Sequence, residues 1–229
     1  MLEGIANVSI SEKEVDMKKV EARRTFFYRG TKRVFDICCA LIGIICMIPI
    51  AIIVKIIYVC TGDFNSIFYT HTRIGKFGRE FKLYKFRTMV PNSNEMLKEL
   101  LKNPKYKKEW EENQKFENDP RVTKAGKILR KTSMDELPQM FNILKNDMSL
   151  IGPRPLVPGE LDEHDGNHKV YEKVKPGITS WWACHGRSST TYEERLALEY
   201  YYVQNRSFLL DLKCILLTIK AVITKTGAK

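Results

Sequence analysis

Between Ile37 and Val54 the chain reads ICCALIGIICMIPIAIIV, a run without one charged residue. About 18 apolar residues is the length at which a bilayer can hold a segment, so the run is a membrane element and the rest of the chain must be arranged around it. As a straight helix it would rise roughly 27 Å, slightly short of the ~30 Å hydrocarbon core. Pro49 lies inside the run and removes a helix hydrogen bond, which predicts a bend. Lys32 and Arg33 precede it, Lys55 follows it, and basic sequence lies on both sides. The positive-inside rule therefore puts both ends in the cytosol, as in a re-entrant helix turning at Pro49, with Ile56, Ile57 and Val59 continuing along the surface. A bilayer-spanning segment is the alternative.

A chain of 229 residues, 44% of them hydrophobic, can bury one sizeable core. The formal net charge of +11 points to anionic partners: nucleic acid, an anionic membrane surface or phosphorylated substrates. Cys38, Cys39, Cys46, Cys60, Cys184 and Cys214 include no C-x-x-C pair and read as reduced, buried thiols of a cytosol-facing protein. Residues 1–30 show no apolar period and no cleavable signal pattern, and are expected to be a mobile tail or a surface helix.

A second stretch, Lys131 to Leu144 (KTSMDELPQMFNIL), sets Asp135 and Glu136 ahead of a proline and an apolar-periodic run. Pro138 cannot donate a backbone hydrogen bond and is tolerated only in a first turn, so a helix is expected to begin at about Asp135. That places both carboxylates where the helix dipole favours negative charge, and both are expected to stay ionised. An ionised Asp can attack phosphorus, and a neighbouring carboxylate can hold a Mg²⁺ that neutralises the phosphate under attack. The same residues allow a plainer reading, because Ser133 to Glu136 is also an S-x-x-E capping box.

Ile67 to Met89 reads as a hairpin with its turn near Gly75 to Gly78. Phe81, Leu83, Lys85 and Arg87 fall on one face of its second strand, the pattern of a strand leaving the core for an anion site or of a solvated strand end. Asn92 to Asn118 is dense in Lys and Glu and broken at Pro104, which suggests two short amphipathic helices. They could cover the site, lie on a membrane surface or simply be solvated. In SLIGPRP, Ser149 to Pro155, two prolines fix the backbone around Arg154, whose planar fork suits a phosphate or pyrophosphate. Arg130 is a second phosphate candidate or a surface Arg. His164 and His168 sit among carboxylates, but Gly166 and Asn167 interrupt any helix that would align them as metal ligands. Leu209, Leu212, Leu216, Ile219 and Ile223 recur at helical spacing, with Asp211, Lys213, Lys220 and Lys225 on other faces. This basic amphipathic helix suits a core face or the membrane surface.

The segment Arg121 to Pro155, RVTKAGKILRKTSMDELPQMFNILKNDMSLIGPRP, resembles the core of the bacterial sugar transferases, the polyprenyl-phosphate phosphoglycosyl transferases. The resemblance runs from Lys32-Arg33-Val34-Phe35-Asp36, through YKFRTM (Tyr84 to Met89) and Asp119-Pro120-Arg121, to KPGIT (Lys175 to Thr179) and the C-terminal helix. It implies an α+β fold in which a small cytosolic catalytic domain is held at the inner membrane by a re-entrant helix and interfacial amphipathic helices. The expected division is a tail at 1–30, the membrane helix at 31–60 and the catalytic domain at 61–229. It further implies transfer of a sugar 1-phosphate from a UDP-sugar to a polyprenyl (undecaprenyl) phosphate, with release of UMP, as the first step of lipid-linked exopolysaccharide assembly. In that scheme Asp135 is the nucleophile and forms a covalent aspartyl phosphosugar. Glu136 is a Mg²⁺ ligand or acid/base helper, with Asp135 sharing the metal. Lys85 is catalytic, and Arg130, Arg154, Arg121 and Arg87 bind phosphate or substrate. The chain departs from the family pattern at Ile48, where a small polar residue often precedes Pro49. It departs again at Ala183 and His185, in the loop running from Pro176 to Gly186-Arg187, where the family has a Gln and a small polar residue.

Two other classes remain open from sequence: a non-enzymatic basic module on a membrane surface, and a glycosyltransferase that releases UDP. The sugar, the glycan and a homodimer are not specified. Nucleic acid is not an expected partner.

Overall fold

The computed structural model describes residues 15–22, 26–113, 116–185 and 190–223; Gly186, Arg187 and Lys225 lie outside them, as does most of the expected tail. Helix α1 (Met17–Ala22) precedes the long helix α2 (Phe26–Cys60), which continues through Pro49. Strands β1 (Phe68–Ile74) and β2 (Glu80–Phe86) pair as a hairpin. Helices α3 (Ser93–Leu100), α4 (Pro104–Asn113) and α5 (Lys124–Lys131) follow, then a 3₁₀ turn at Met134–Glu136 and α6 (Gln139–Leu144). Strand β3 (Ser149–Ile151), α7 (His168–Tyr171), β4 (Gly177–Thr179), α8 (Trp181–His185), α9 (Tyr192–Asn205) and α10 (Phe208–Ile223) complete the chain. The expected mixture of helix and sheet is present. The hairpin turns where the glycines predicted, with Gly75 N–H bonded to the Arg79 carbonyl at 2.8 Å.

The elements form two compact units, Met1–Ile45 with Thr70–Tyr84 and Gln139–Lys229, and Cys46–Tyr69 with Lys85–Pro138. In the first, β3 and β4 pair in parallel with Ser149 opposite Gly177. Their neighbours Gly152 and Gly177 leave no room for side chains, since a Cβ on Gly177 would stand 2.1 Å from Gly152 N. Buried Asp36 of α2 accepts from Ser149 Oγ at 3.0 Å and from Leu150 N–H at 2.9 Å, fixing the apolar helix to β3. Helix α9 opens with a complete capping box at Thr191 and Glu194, and packs Leu196, Tyr200 and Val203 against Leu156, Val170 and Val20. Val20 is fully buried, so residues 17–22 are a docked helix and not a mobile tail.

In the second unit, Met47, Val54 and Tyr58 of α2 pack with Phe86, Ala125 and Leu129. Helix α5 lies so close to Thr88 that a Cβ on Gly126 would stand 2.0 Å from the Thr88 carbonyl oxygen. The two helices expected between Asn92 and Asn118 are α3 and α4, and Pro104 is the first residue of the second, where its missing N–H costs nothing.

Each half of α2 therefore buries one face against its own unit. The rest of its surface, including Leu41, Ile42, Ile45, Ile48, Ile52, Ile53 and Ile56, is exposed. Among the described residues it is the one helix long and apolar enough to cross a membrane. This exposure corrects the expectation of buried thiols: Cys38, Cys46 and Cys60 lie on the uncovered face, Cys39 and Cys184 are half-buried, and Cys214 is enclosed. The stripe of α10 is settled in the same way, because Leu209, Leu212, Leu216 and Ile219 face outward while Cys214 faces the core. His164 and His168 part company, the first stacked on Tyr192 and the second bonded to Asp162 and Glu172.

Candidate active site

Strand β2 buries Phe86, which stacks on Phe68, and alternation along the strand turns Lys85 to the other face. There Lys85 Nζ meets Glu136 Oε1 at 2.7 Å and stands 3.8 Å from Asp135 Oδ2. The ammonium thus meets two adjacent carboxylates that lie 50 and 51 positions further along the chain.

The carboxylates are presented differently from the sequence expectation. Helix α5 ends at Lys131, Ser133 takes a left-handed backbone (φ 55°), and the chain enters the 3₁₀ turn that carries Asp135 and Glu136. The α-helix begins only at Gln139, after Pro138. The left-handed Ser133 is followed by a tight 3₁₀ turn, so Asp135 lies ahead of the α-helix and not at its first residue. The Ser133 hydroxyl makes no capping bond, and Glu136 points to Lys85. The capping-box reading is not realised.

Nor does a helix dipole hold Asp135 ionised. Burial pushes its carboxyl up from the ordinary value; Lys85 and then Arg130 oppose this, while Glu136 adds to it. The charge of Asp135 therefore rests on two cations. Arg130, in the last turn of α5, is exposed and donates its Nε–H to Thr88 Oγ1 at 2.9 Å.

Arg87 and Arg121 have other occupations. Arg87 lies beyond the end of β2; its Nε–H donates to the Ser66 carbonyl at 2.7 Å, Nη1 donates to the Met89 carbonyl at 3.0 Å, and Nη2 pairs with Asp63 at 2.8 Å. Arg121 is 5% exposed, holds Asp119 through Nε (2.8 Å) and Nη2 (2.7 Å), and lies over Trp110 and Phe116. Burial works to raise the Asp119 carboxyl, but the Arg121 hydrogen bonds and charge outweigh it and hold the group below its ordinary value. Both guanidiniums brace the second unit.

Arg154 belongs to the first unit. Its N–H donates to Glu199 Oε1 at 3.1 Å, its carbonyl accepts from Tyr171 Oη at 2.9 Å, and its exposed guanidinium lies over Trp182 at 5.7 Å. The prolines alone do not make the corner rigid. Glu199, 0% exposed, is the residue that sequence reasoning missed: burial pushes it up to about 7, against the Arg154 N–H, Ser180 and Arg195. Its position four residues after Arg195 reads as an ordinary helical pair, and only the fold reveals that it lies behind Arg154. Of the two departures, Ala183 donates its N–H to Ser180 Oγ, and His185 bonds the Trp181 carbonyl at 2.8 Å.

A divalent cation fits the dyad by donor chemistry, since Mg²⁺ takes oxygen ligands and is commonly held by one or two carboxylates together with substrate phosphates. Among the described residues no cluster of three or more His, Cys, Asp or Glu adds further ligands, so phosphate oxygens would have to complete the shell.

The family profile of the bacterial sugar transferases matches residues 27–225, and the chain belongs to that family. It is 44% identical over 201 residues to the undecaprenyl-phosphate galactose phosphotransferase of Salmonella typhimurium, covering 87% of this chain and 42% of that protein. It is 43% identical over 199 residues to the exopolysaccharide production protein ExoY of Sinorhizobium fredii, covering 86% and 88%. Identity to the UDP-N-acetylgalactosamine-undecaprenyl-phosphate N-acetylgalactosaminephosphotransferase of Aeromonas hydrophila is 34% over 208 residues, covering 88% and 46%. The chain thus spans under half of two of these relatives and most of the third.

The geometry separates bracing from exposed arginines. Arg121→Gln strands the enclosed Asp119 carboxylate and should cost about 3–5 kcal/mol in urea unfolding, whereas Arg130→Gln at an exposed position should cost no more than ~1 kcal/mol. Equal stability of Arg121→Gln and the parent protein would return Arg121 to the set of substrate ligands.

Proposed function

We propose that the chain is a phosphoglycosyl transferase, which moves a sugar 1-phosphate from a nucleoside diphosphate sugar, a UDP-sugar, to undecaprenyl phosphate and releases UMP, opening lipid-linked exopolysaccharide assembly. The names of the relatives support the acceptor and the reaction class. The observation that carries the reading is the Lys85 ammonium between Asp135 and Glu136, a nucleophile candidate and a second carboxylate held by one cation.

In the first half-reaction an Asp135 oxygen attacks the phosphorus that bears the sugar. The bridging P–O bond breaks and UMP leaves with the bridging oxygen. In the second, an oxygen of polyprenyl phosphate attacks the same phosphorus and Asp135 departs as a carboxylate, giving the polyprenyl diphosphate sugar. A carboxylate needs no base to become a nucleophile, provided it is ionised, and that is the task assigned to Lys85 and Arg130. They also face the charge that grows on the phosphoryl oxygens. Mg²⁺, held by Glu136 and shared with Asp135, would supply further neutralisation of the phosphates. Arg154, on its fixed corner, is proposed as a phosphate contact in its own unit.

The proposal places α2 in the cytoplasmic membrane as a re-entrant helix bending at Pro49, with the catalytic residues on the cytosolic side. Its uncovered apolar surface and its basic flanks support this. Cysteine labelling on a Cys-free background tests it: residues placed just before Phe26 and just after Cys60 should both be accessible only from the cytosol. Labelling of either from the opposite side would replace the re-entrant helix by a spanning one.

A covalent intermediate predicts ping-pong kinetics, with a burst of UMP from a UDP-sugar before any lipid acceptor is added. Asp135→Asn should abolish the burst. The acid limb of its pH profile should move in opposite directions in two variants. Lys85→Gln removes the main cation opposing the rise of Asp135, so the limb shifts to higher pH; Glu136→Gln removes a like charge, so it shifts to lower pH. Release of UDP, or no nucleotide until the lipid is present, would overturn the mechanism.

A further inference from the structure

The first unit contains a second basic site, separate from the Lys85 dyad. A cavity of about 1140 Å³ opens between the first turns of α2, the hairpin turn at Gly75 to Phe81, the loop after α6 and the segment leading into β4. Nine cationic residues line it against three acidic ones. Bonding decides how much of that charge is already compensated. Lys32 is paired with Asp211, and Lys173 with Glu21. Arg33 donates to the Ile143 and Leu144 carbonyls at 2.6 and 3.0 Å, Lys145 to Tyr84 Oη, and Lys175 to Asn146 Oδ1. These four partners are neutral, so they aim the cations and leave their charge in place. Of the acids on the lining, Asp36 is committed to Ser149 and Leu150, and Asp147 acts on Lys145.

We infer that this cavity holds the phosphate of an anionic membrane lipid, on the lining that Arg33, Lys145 and Lys175 share. The inference rests on the reading of α2 as membrane-inserted. Lys32 and Arg33 stand immediately before the uncharged run, so an inserted helix brings the cavity to the depth of the lipid phosphates. Phe26 and Phe77, both on its lining, are exposed aromatics of the kind that lie at a membrane interface. The volume accommodates a headgroup and exceeds what one inorganic ion fills. Burial and then Arg33 push Lys175 down to about 8, with Asp36 opposing and Lys76 and Lys32 adding to the effect, so an entering anion relieves a real repulsion. A cleft lined by one sign of charge also focuses the field on its contents.

The full chain in neutral detergent, titrated with dihexanoylphosphatidylglycerol or dihexanoylphosphatidylcholine and read by native mass spectrometry, tests this. The anionic lipid should be retained in preference. Lys145→Gln and Lys175→Gln should each weaken its retention about five-fold, the effect of one charge near a lipid surface. Lys98→Gln, an exposed lysine of α3, should leave it unchanged. Lys145 is itself exposed, so its variant tests the site even if Lys175→Gln fails to fold. Equal retention of the two lipids, or the same loss with Lys98→Gln, would overturn the proposal. Displacement by inorganic pyrophosphate beyond that by sulfate at matched ionic strength would assign the cavity to a soluble diphosphate instead. Fractionation of the expressed chain away from membranes would refute the insertion of α2, an outcome independent of the lipid titration.

Discussion

The uncharged run of α2 from Ile37 to Val54 has to be covered by something, and the protein covers only part of it. The first unit grips its early turns through polar groups, with Asp36 on β3, Arg33 on the carbonyls that end α6, and Lys32 on Asp211. The second unit packs Met47, Val54 and Tyr58 of its later turns against Phe86 and Leu129, while the Tyr58 hydroxyl donates to the Arg87 carbonyl and Lys55 to the Phe64 and Asn65 carbonyls. What remains exposed in each unit is a set of aliphatic side chains, Leu41, Ile42 and Ile45 in the first and Ile48, Ile52, Ile53 and Ile56 in the second. Each unit covers one face of its own part of α2, and the apolar residues left uncovered are the physical reason for the membrane reading.

The candidate site depends on that packing at one remove. Leu129 and Ala125 seat α5 in the core shared with α2, and α5 ends directly before the reversal at Ser133. Phe86 seats the end of β2 in the same core, which turns Lys85 outward. The 3₁₀ turn leaves Asp135 half-enclosed, where burial acts against its charge and Lys85 and then Arg130 oppose that effect. A carboxylate in that balance is poised: kept ionised by its neighbours, it is better suited to attack a phosphate than one deep in an ion pair. Arg87 and Arg121 hold the surrounding loops through Asp63 and Asp119.

Much of this was legible in the chain. The uncharged run, the glycine turn of the hairpin, the break at Pro104 and the divergence of His164 from His168 followed from local chemistry, and the structure has them. The motifs around Asp135 led to the family. What was not legible depended on partners distant in sequence. Nothing local distinguishes Arg121, a clamp on Asp119, from Arg130, an exposed cation, because both are arginines in basic stretches. Pro138 predicted a helix start, but Ser133 adopts a left-handed backbone that a serine seldom takes, and the turn tightened to 3₁₀. Glu199 drew no reading from the sequence and is wholly buried behind Arg154. The thiols of α2 were read as buried because apolar runs usually are, and a face left for lipid reverses that inference.

The central claim is that Asp135, and not Glu136, carries the sugar phosphate. Protein quenched with a UDP-sugar before any lipid is added, then digested and sequenced by mass spectrometry, measures this directly. The account predicts one modified peptide, with the added sugar-phosphate mass on Asp135 and lost on treatment with polyprenyl phosphate before the quench. Modification of Glu136 or any other residue, or an unmodified protein that nonetheless turns over, would contradict it.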